Sequence, residues 1–223
     1  MSDRKKTIVV TGASRGVGLD LCRYFDMKGW RVIGLARRVS ALKEGDVKFI
    51  KADGSTLDFY TKIPSDIVVD LLVNNAGVFS SLPLAEETDE GVNKIIDTNL
   101  KGTIYATMAC LKVMQPGARI INISSVAALH GIKNQALYSA SKAGINGFFE
   151  SLQHELLPKG ILLSTINPGG IDSTLWNADN PYQGGKGALL QTGDIVSLVD
   201  YISDLPPNVV FKNATIYPIN EKH

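Results

Sequence analysis

Residues Thr7–Gly18 read TIVVTGASRGVG: four β-branched residues, a turn carrying glycines at 12, 16 and 18, and the start of a helical pattern. Val17, Leu21, Tyr24 and Phe25 continue that pattern as one apolar stripe at spacings of three and four. A strand that turns through glycines directly into a helix is the opening unit of an α/β fold. The free N–H groups and positive dipole of the helix start attract an anion such as a pyrophosphate. The spacing is neither GxGxxG nor a Walker loop, and a plain tight turn has the same composition.

Outward from this unit the same alternation recurs. Apolar, β-branched runs stand at 31–35 (RVIGL), 47–50 (VKFI), 68–73 (VVDLLV), 119–124 (RIINIS), 161–166 (ILLSTI) and 214–219 (ATIYPI). Several are apolar on both faces, as strands of a parallel sheet covered on both sides must be. Ile145, Phe148, Phe149, Leu152 and Leu156 mark a second helical stripe. Seven strands alternating with helices predict a doubly wound, Rossmann-like parallel sheet with right-handed crossovers, and ligands bind beyond the carboxyl ends of its strands.

The bulk properties set the class. In 223 residues, 44% are hydrophobic and 20% charged, and no linker, repeat or low-complexity tract divides them, so one domain over 1–223 is expected. Lys and Arg number 23 against 22 Asp and Glu, which offers no electrostatic case for a nucleic acid or an anionic membrane. Cys22 and Cys110 lack metal-ligand spacing and read as buried thiols. His130, His154 and His223 likewise form no ligand set, so no metal is expected. The apolar run near the N-terminus is too short for a signal-peptide core or a membrane span, which fits a cytoplasmic setting.

The end of the second strand bears on cofactor choice. An acidic residue there accepts ribose hydroxyls in NAD-binding folds, whereas a basic one accommodates the extra phosphate of NADP. Here the chain reads LARR, so Arg37, with Arg15 in the glycine loop, predicts NADP(H) over NAD(H). Arg38 reads more simply as a solvated neighbour.

TGASRGVG, NNAG at 74–77, Asn99, SS at 124–125, YSASK at 138–142 and NPGG at 167–170, in that order, resemble the short-chain dehydrogenase/reductase family nearly end to end. The resemblance implies hydride transfer between NADP(H) and a carbonyl or secondary alcohol, with Asn99, Ser125, Tyr138 and Lys142 as the catalytic set. Tyr138 would give or take the proton, Ser125 would hold the substrate oxygen, Lys142 would acidify Tyr138 and bind the ribose, and Asn99 would hold a water. Lowering a phenol from ~10 to neutrality takes roughly 4 kcal/mol, about what one close cation supplies at an effective dielectric of ~20.

By the same resemblance Gly12, Ser14, Arg15, Gly16, Val17, Gly18, Arg37, Asp53, Asn75, Ala76, Gly77, Tyr138, Lys142, Pro168, Gly169, Ile171 and Ser173 would contact the cofactor. For NNAG, a role in tying neighbouring strands together is an equal alternative. The segment 170–194, with Trp176, Tyr182 and several glycines, would carry substrate choice and could close as a lid. The ending ATIYPINEKH departs from the glycine-pair ending of many tetrameric members. It points away from fatty-acid-synthesis ketoreductases and toward the branch acting on hydroxy acids and small alcohols. The family's usual homodimer or homotetramer is the expected assembly. A catalytically silent dinucleotide sensor remains the competing function class.

Overall fold

A computed structural model describes residues 4–39, 45–53, 56, 62–173 and 189–219. Its framework is a seven-stranded sheet in the order β3-β2-β1-β4-β5-β6-β7, with every neighbouring pair parallel. The chain enters through β1 (Thr7–Thr11), all five residues buried, and passes into α1 (Gly16–Met27). Next come β2 (Arg31–Ala36), β3 (Lys48–Lys51) and β4 (Val69–Asn74). A long helical rod follows: α2 (Asp89–Ile95), a wider π-helical turn (Ile96–Lys101) and α3 (Gly102–Leu111). Then β5 (Met114–Ile123), α4 (Ala136–Leu156), β6 (Leu162–Pro168), α5 (Thr192–Asp204) and β7 (Asn213–Ile216) complete the chain.

All seven predicted strands are present. Two differ from the predicted runs by three residues or more at one end. β5 begins at Met114, five residues before the apolar run, because the exposed residues Gln115 to Gly117 continue the strand past a register shift against β4 between Val69 and Leu71. β7 stops at Ile216. It is an edge strand paired only with β6, and Pro218 lacks the N–H that a longer ladder would use.

Each strand buries alternate side chains on opposite faces, so the sheet separates two cores. On one face Ile8, Val10, Ile121 and Ile166 meet Leu21 and Phe25 of α1 and Ile195 and Val199 of α5. On the other, Val9, Leu72, Ile120 and Leu163 meet Ala106 and Cys110 of α3 and Ile145, Phe149 and Leu152 of α4. Tyr24 binds α1 to α5 by donating its hydroxyl hydrogen to Asp200 Oδ2 at 2.7 Å, and Lys28 pairs with Asp200 and Asp204. No helix among the described residues is long and apolar enough to cross a membrane.

Winding outward from β1 to β2 and β3, and then back across to β4, reverses the strand order between β1 and β4. The crevice at that reversal is where such sheets bind ligands. The glycine turn and the NNAG segment both open into it.

Candidate active site at the carboxyl ends of the strands

The glycine turn is built for close approach. Gly12 takes φ +69°, and a Cβ there would stand 2.8 Å from the Ala76 Cα, inside any real contact. At Gly18 a Cβ would meet the Gly12 carbonyl oxygen at 2.3 Å, so the helix start lies directly on the turn. Thr11 and Asn75 lock the two loops together. Thr11 Oγ1 accepts from the backbone N–H groups of Asn75 and Ala76, both at 3.0 Å, and Asn75 Nδ2 donates to the Thr11 carbonyl at 3.0 Å. These bonds tie the loop after β4 to the end of β1.

Helix α1 begins without help from a side chain. Its N-cap is Arg15, in extended backbone, which makes no capping hydrogen bond, and no acidic residue occupies the first turn. Four N–H groups at a helix start need partners, and Ser, Thr, Asp or Asn normally supplies one. Gly16, at φ +52°, has open space around it apart from Ser173, whose Cβ would lie 3.7 Å from a Cβ at that position. Ser173 thus lies beside the turn. Ser14 is half-buried in the turn, and Val17 turns into the core. An anionic group fits this combination of uncapped donors, open approach and positive dipole.

Arg37 and Arg38 follow β2 and are exposed, as is Arg15. The Ala13 N–H donates to the Leu35 carbonyl at 3.1 Å, which brings the glycine turn to the end of β2 and so to these arginines. None of the three pairs with a carboxylate among the described residues. Asp53, exposed after β3, holds a turn by accepting the Thr56 N–H on its carbonyl at 3.2 Å. Pro168 ends β6 and Gly169 hangs from the Ile216 carbonyl at 2.8 Å. Ile171 forms a parallel bridge with Leu190, reinforced by the Asp172 N–H on the Leu190 carbonyl at 2.7 Å. The predicted lid falls mostly on 174–188, outside the described residues; of its remainder, 170–173 and 189–191 make this bridge and 192–194 open α5.

The four predicted catalytic residues converge. Asn99 sits in the π-helical turn and is fully buried. Its Oδ1 accepts the Val78 N–H at 2.8 Å, and its Nδ2 donates to the Val78 carbonyl and to Ser141 Oγ, each at 3.0 Å. Ser141 Oγ in turn donates to the Tyr138 carbonyl at 2.7 Å, so the amide braces the first turn of α4. Ser125 caps the short turn 126–128 by accepting the Ala127 N–H at 3.1 Å and lies within hydrogen-bonding reach of the Tyr138 hydroxyl. Lys142 Nζ donates to the Ile123 carbonyl at 3.0 Å and stands 5.8 Å from the centre of the Tyr138 ring. Gly77 leaves room beside it: a Cβ there would be 3.5 Å from Asn99 Oδ1 and 3.7 Å from Lys142 Nζ.

The expected pull of Lys142 on the Tyr138 hydroxyl does not outweigh burial in the protein alone. Burial pushes Tyr138 up to about 12 against the lowering hydrogen bond with Ser125, and burial lowers Lys142 to about 8. Both groups are almost wholly buried, so the cost of desolvating each charge exceeds what the other offers across this separation. The phenol is thereby held in its protonated form.

Two neighbours carried no signal in the sequence. Phe79 packs edge-on against Tyr138, ring centres 5.0 Å apart, and walls the cleft with an apolar surface. Ser141 couples Asn99 to α4. Ser141 was in view within YSASK, but only the fold reveals which side it faces. His130 lies in the exposed loop after Ser125, and no cluster of three His, Cys, Asp or Glu among the described residues could hold a metal.

Residues 6–183 match the family described as short chain dehydrogenase. The chain belongs to that family. An uncharacterised oxidoreductase of Staphylococcus saprophyticus is 32% identical, over 96% of this chain and 97% of its own. Among solved structures, a serine dehydrogenase in its closed form with NADP+ superposes with a TM-score of 0.85 at 25% identity, covering 97% of this chain and 96% of that one. A short chain dehydrogenase of Burkholderia cenocepacia in complex with NADP gives a TM-score of 0.81 at 25% identity, covering 95% and 96%. This short-chain dehydrogenase is thus an oxidoreductase built on a dinucleotide-binding sheet.

Proposed function

We propose that the protein reduces a carbonyl to a secondary alcohol, or runs the reverse, with NADP(H) and with Tyr138 as the proton donor and acceptor. The observation that carries this reading is the convergence of Ser125, Tyr138, Lys142 and Asn99 beside an uncapped helix start at the strand-order reversal. When bound, the dinucleotide supplies or receives the hydride. Gly12, Ser14, Gly16 and Gly18 with the start of α1 would hold its pyrophosphate. Arg15 and Arg37 would meet the 2′-phosphate, and Asp53, Asn75, Ala76, Gly77, Pro168, Gly169, Ile171 and Ser173 would line the rest.

Hydrogen bonds from Ser125 and Tyr138 would fix the substrate oxygen, and the Tyr138 proton would pass to that oxygen as negative charge develops on it. A phenol kept protonated by burial is the form that reduction requires. Lys142, anchored on the Ile123 carbonyl, would hold the ribose and stabilise the tyrosinate left behind. Asn99 would act through Ser141 and the Val78 backbone, keeping α4 and the NNAG loop in register.

Arg37 at the end of β2 and Arg15 in the turn, exposed and paired with no carboxylate among the described residues, and NADP in the two structural relatives support the phosphate-bearing cofactor. The serine dehydrogenase likeness makes small hydroxy acids, serine among them, the first substrates to try. The test is NADPH consumption over a panel of carbonyls, and NADP+ reduction over a panel of hydroxy acids, with Tyr138→Phe as control. Turnover that the variant loses supports the assignment. NADPH binding without turnover on any substrate, unchanged in the variant, would establish a sensor instead.

A further inference from the structure

At the amino ends of the strands, opposite the cleft, a cavity of about 60 Å³ opens between β1, β4, β5 and α5. Register places its walls. Ile8 of β1 pairs with Leu71 of β4, Leu71 pairs with Arg119 of β5, and Ile8 and Leu71 face α1 and α5. Arg119 therefore turns to that face as well, and Lys6, two residues before Ile8, lies at its lower edge. Trp30 and Ser203 close the sides. Gly117 keeps the space open: its φ is +93°, and a Cβ there would meet nothing within 4 Å.

The groups around this cavity are short of acceptors. Arg119 is only 4% exposed, and burial pulls its guanidinium below the usual range. It spends one Nη1 and two Nη2 hydrogens on the carbonyls of Val209, Leu205 and Pro206, out of the five N–H groups a guanidinium carries. Its Nε donates to nothing among the described residues, yet it does not belong to the atoms that are both buried and unpartnered, so it opens into the cavity that Arg119 lines. The same holds for the indole Nε1 of Trp30, a residue 7% exposed. Lys6 stands over the Trp30 ring, 5.2 Å from its centre, and neither Lys6 nor Arg119 pairs with a carboxylate among the described residues. The acceptors present are mostly engaged. Asp70 takes two hydrogen bonds from Arg4 and one from the Thr7 N–H, and the Ser203 hydroxyl gives its hydrogen to the Asp200 carbonyl. With Arg4 cancelling Asp70, Lys6 and Arg119 leave the cavity positive.

We propose that this cavity binds a small carboxylate, held by the free N–H groups of Arg119 and Trp30 and by the Lys6 ammonium. The surplus of donors selects an acceptor, and the uncompensated buried guanidinium selects a negative one. A metal cation would face two positive charges. Size limits the occupant: the volume equals that of about four to six waters at the roughly 10–15 Å³ each needs, which suits formate or acetate and excludes a nucleotide. Occupancy neutralises Arg119 and, through the three carbonyls it holds, firms the end of α5. The site lies at the far end of the sheet from the cleft and does not rest on the function proposed above.

The test uses no turnover. In the full chain carrying Trp176→Phe, Trp30 is the sole tryptophan and reports on the cavity. Acetate titrated in chloride-free buffer at constant ionic strength should change its emission saturably, half-complete below about 10 mM, and should raise the thermal midpoint. Acetamide, of the same shape without the charge, should do neither. Arg119→Met should abolish the response. Lys6→Glu, at an exposed position ahead of β1, should raise the half-saturating acetate concentration about tenfold and keeps the test decisive if the methionine variant does not fold. No saturable response up to about 100 mM, an acetamide response equal to that of acetate, or an acetate response that Lys6→Glu leaves unchanged would overturn the proposal. Saturation by chloride with acetate excluded would overturn the carboxylate as its ligand.

Discussion

The two ends of the sheet handle charge in opposite ways. At the amino ends of the strands Arg119 and Arg4 are held by protein acceptors. Arg119, buried in β5, donates to the carbonyls of Leu205, Pro206 and Val209 at 2.6, 2.7 and 3.2 Å, closing the end of α5. Asp70 there takes two hydrogen bonds from Arg4 and one from the Thr7 N–H. A cavity of about 60 Å³ there is lined by Lys6, Trp30, Asp70 and Arg119 among others. At the carboxyl ends Arg15 and Arg37 are exposed and unengaged by carboxylates among the described residues, and α1 begins without a side-chain cap. Charges held by protein acceptors brace the fold; under the function proposed above, the charges left exposed would meet the phosphates of the cofactor.

The contrast breaks most sharply at Tyr138. Tyr138→Phe should lower kcat by about 10²- to 10⁴-fold, the usual worth of a positioned acid, while NADPH affinity measured by fluorescence titration changes little. Its pH behaviour follows from burial. With the phenol pushed up to about 12, the proton donor persists through neutral pH, so reduction should hold a plateau there. Oxidation needs the tyrosinate, and its initial rate should climb steadily with pH. A flat oxidation profile would mean that another group takes the proton.

Next in size is the opposite end. Arg119→Met strips three part-buried carbonyls of their donor and should cost about 2–4 kcal/mol by denaturant titration, with cofactor KM values unchanged. Arg37→Asp should do the reverse: roughly a tenfold to hundredfold loss in kcat/KM for NADPH relative to NADH, with stability intact. Smallest is Arg4→Met, which removes a half-exposed pair with Asp70 and should cost ~0.2–1 kcal/mol, shrinking further in high salt. If Arg119→Met altered cofactor choice or Arg37→Asp unfolded the protein, the division between the two ends would fail.

How much of this was legible in the sequence depends on the length scale of the signal. The seven strands, the alternating helices and the glycine turn were readable because each is local: β-branched runs, stripes at three and four, glycines where φ is positive or a Cβ would collide. The order of Asn99, Ser125, Tyr138 and Lys142 was readable as a family pattern, and the fold brings the four together. The proton affinity of Tyr138 was not, because two residues four apart in a helix do not reveal how deeply both are buried. Nor was Arg119, read only as the first residue of an apolar run. Its partners lie 86 to 90 residues further along the chain. The buried amides of Asn74 and Asn122, register partners on β4 and β5, were equally silent: Asn74 reads as part of NNAG, while Asn122 interrupts an apolar strand and gives no hint that its neighbour across the sheet is polar too.

The wide turn at Ile96–Lys101 fits one more residue into its circuit than an α-helix does. Each residue of an α-helix advances the azimuth by about 100°, so the rod before the turn is rotated by about that angle against the rod after it. The facing of Asn99 is therefore a matter of counting as much as of chemistry. Deleting a single neighbour within 96–101 would let the rod rewind into a straight helix and swing this amide off its seat, every side chain in the cleft being otherwise intact.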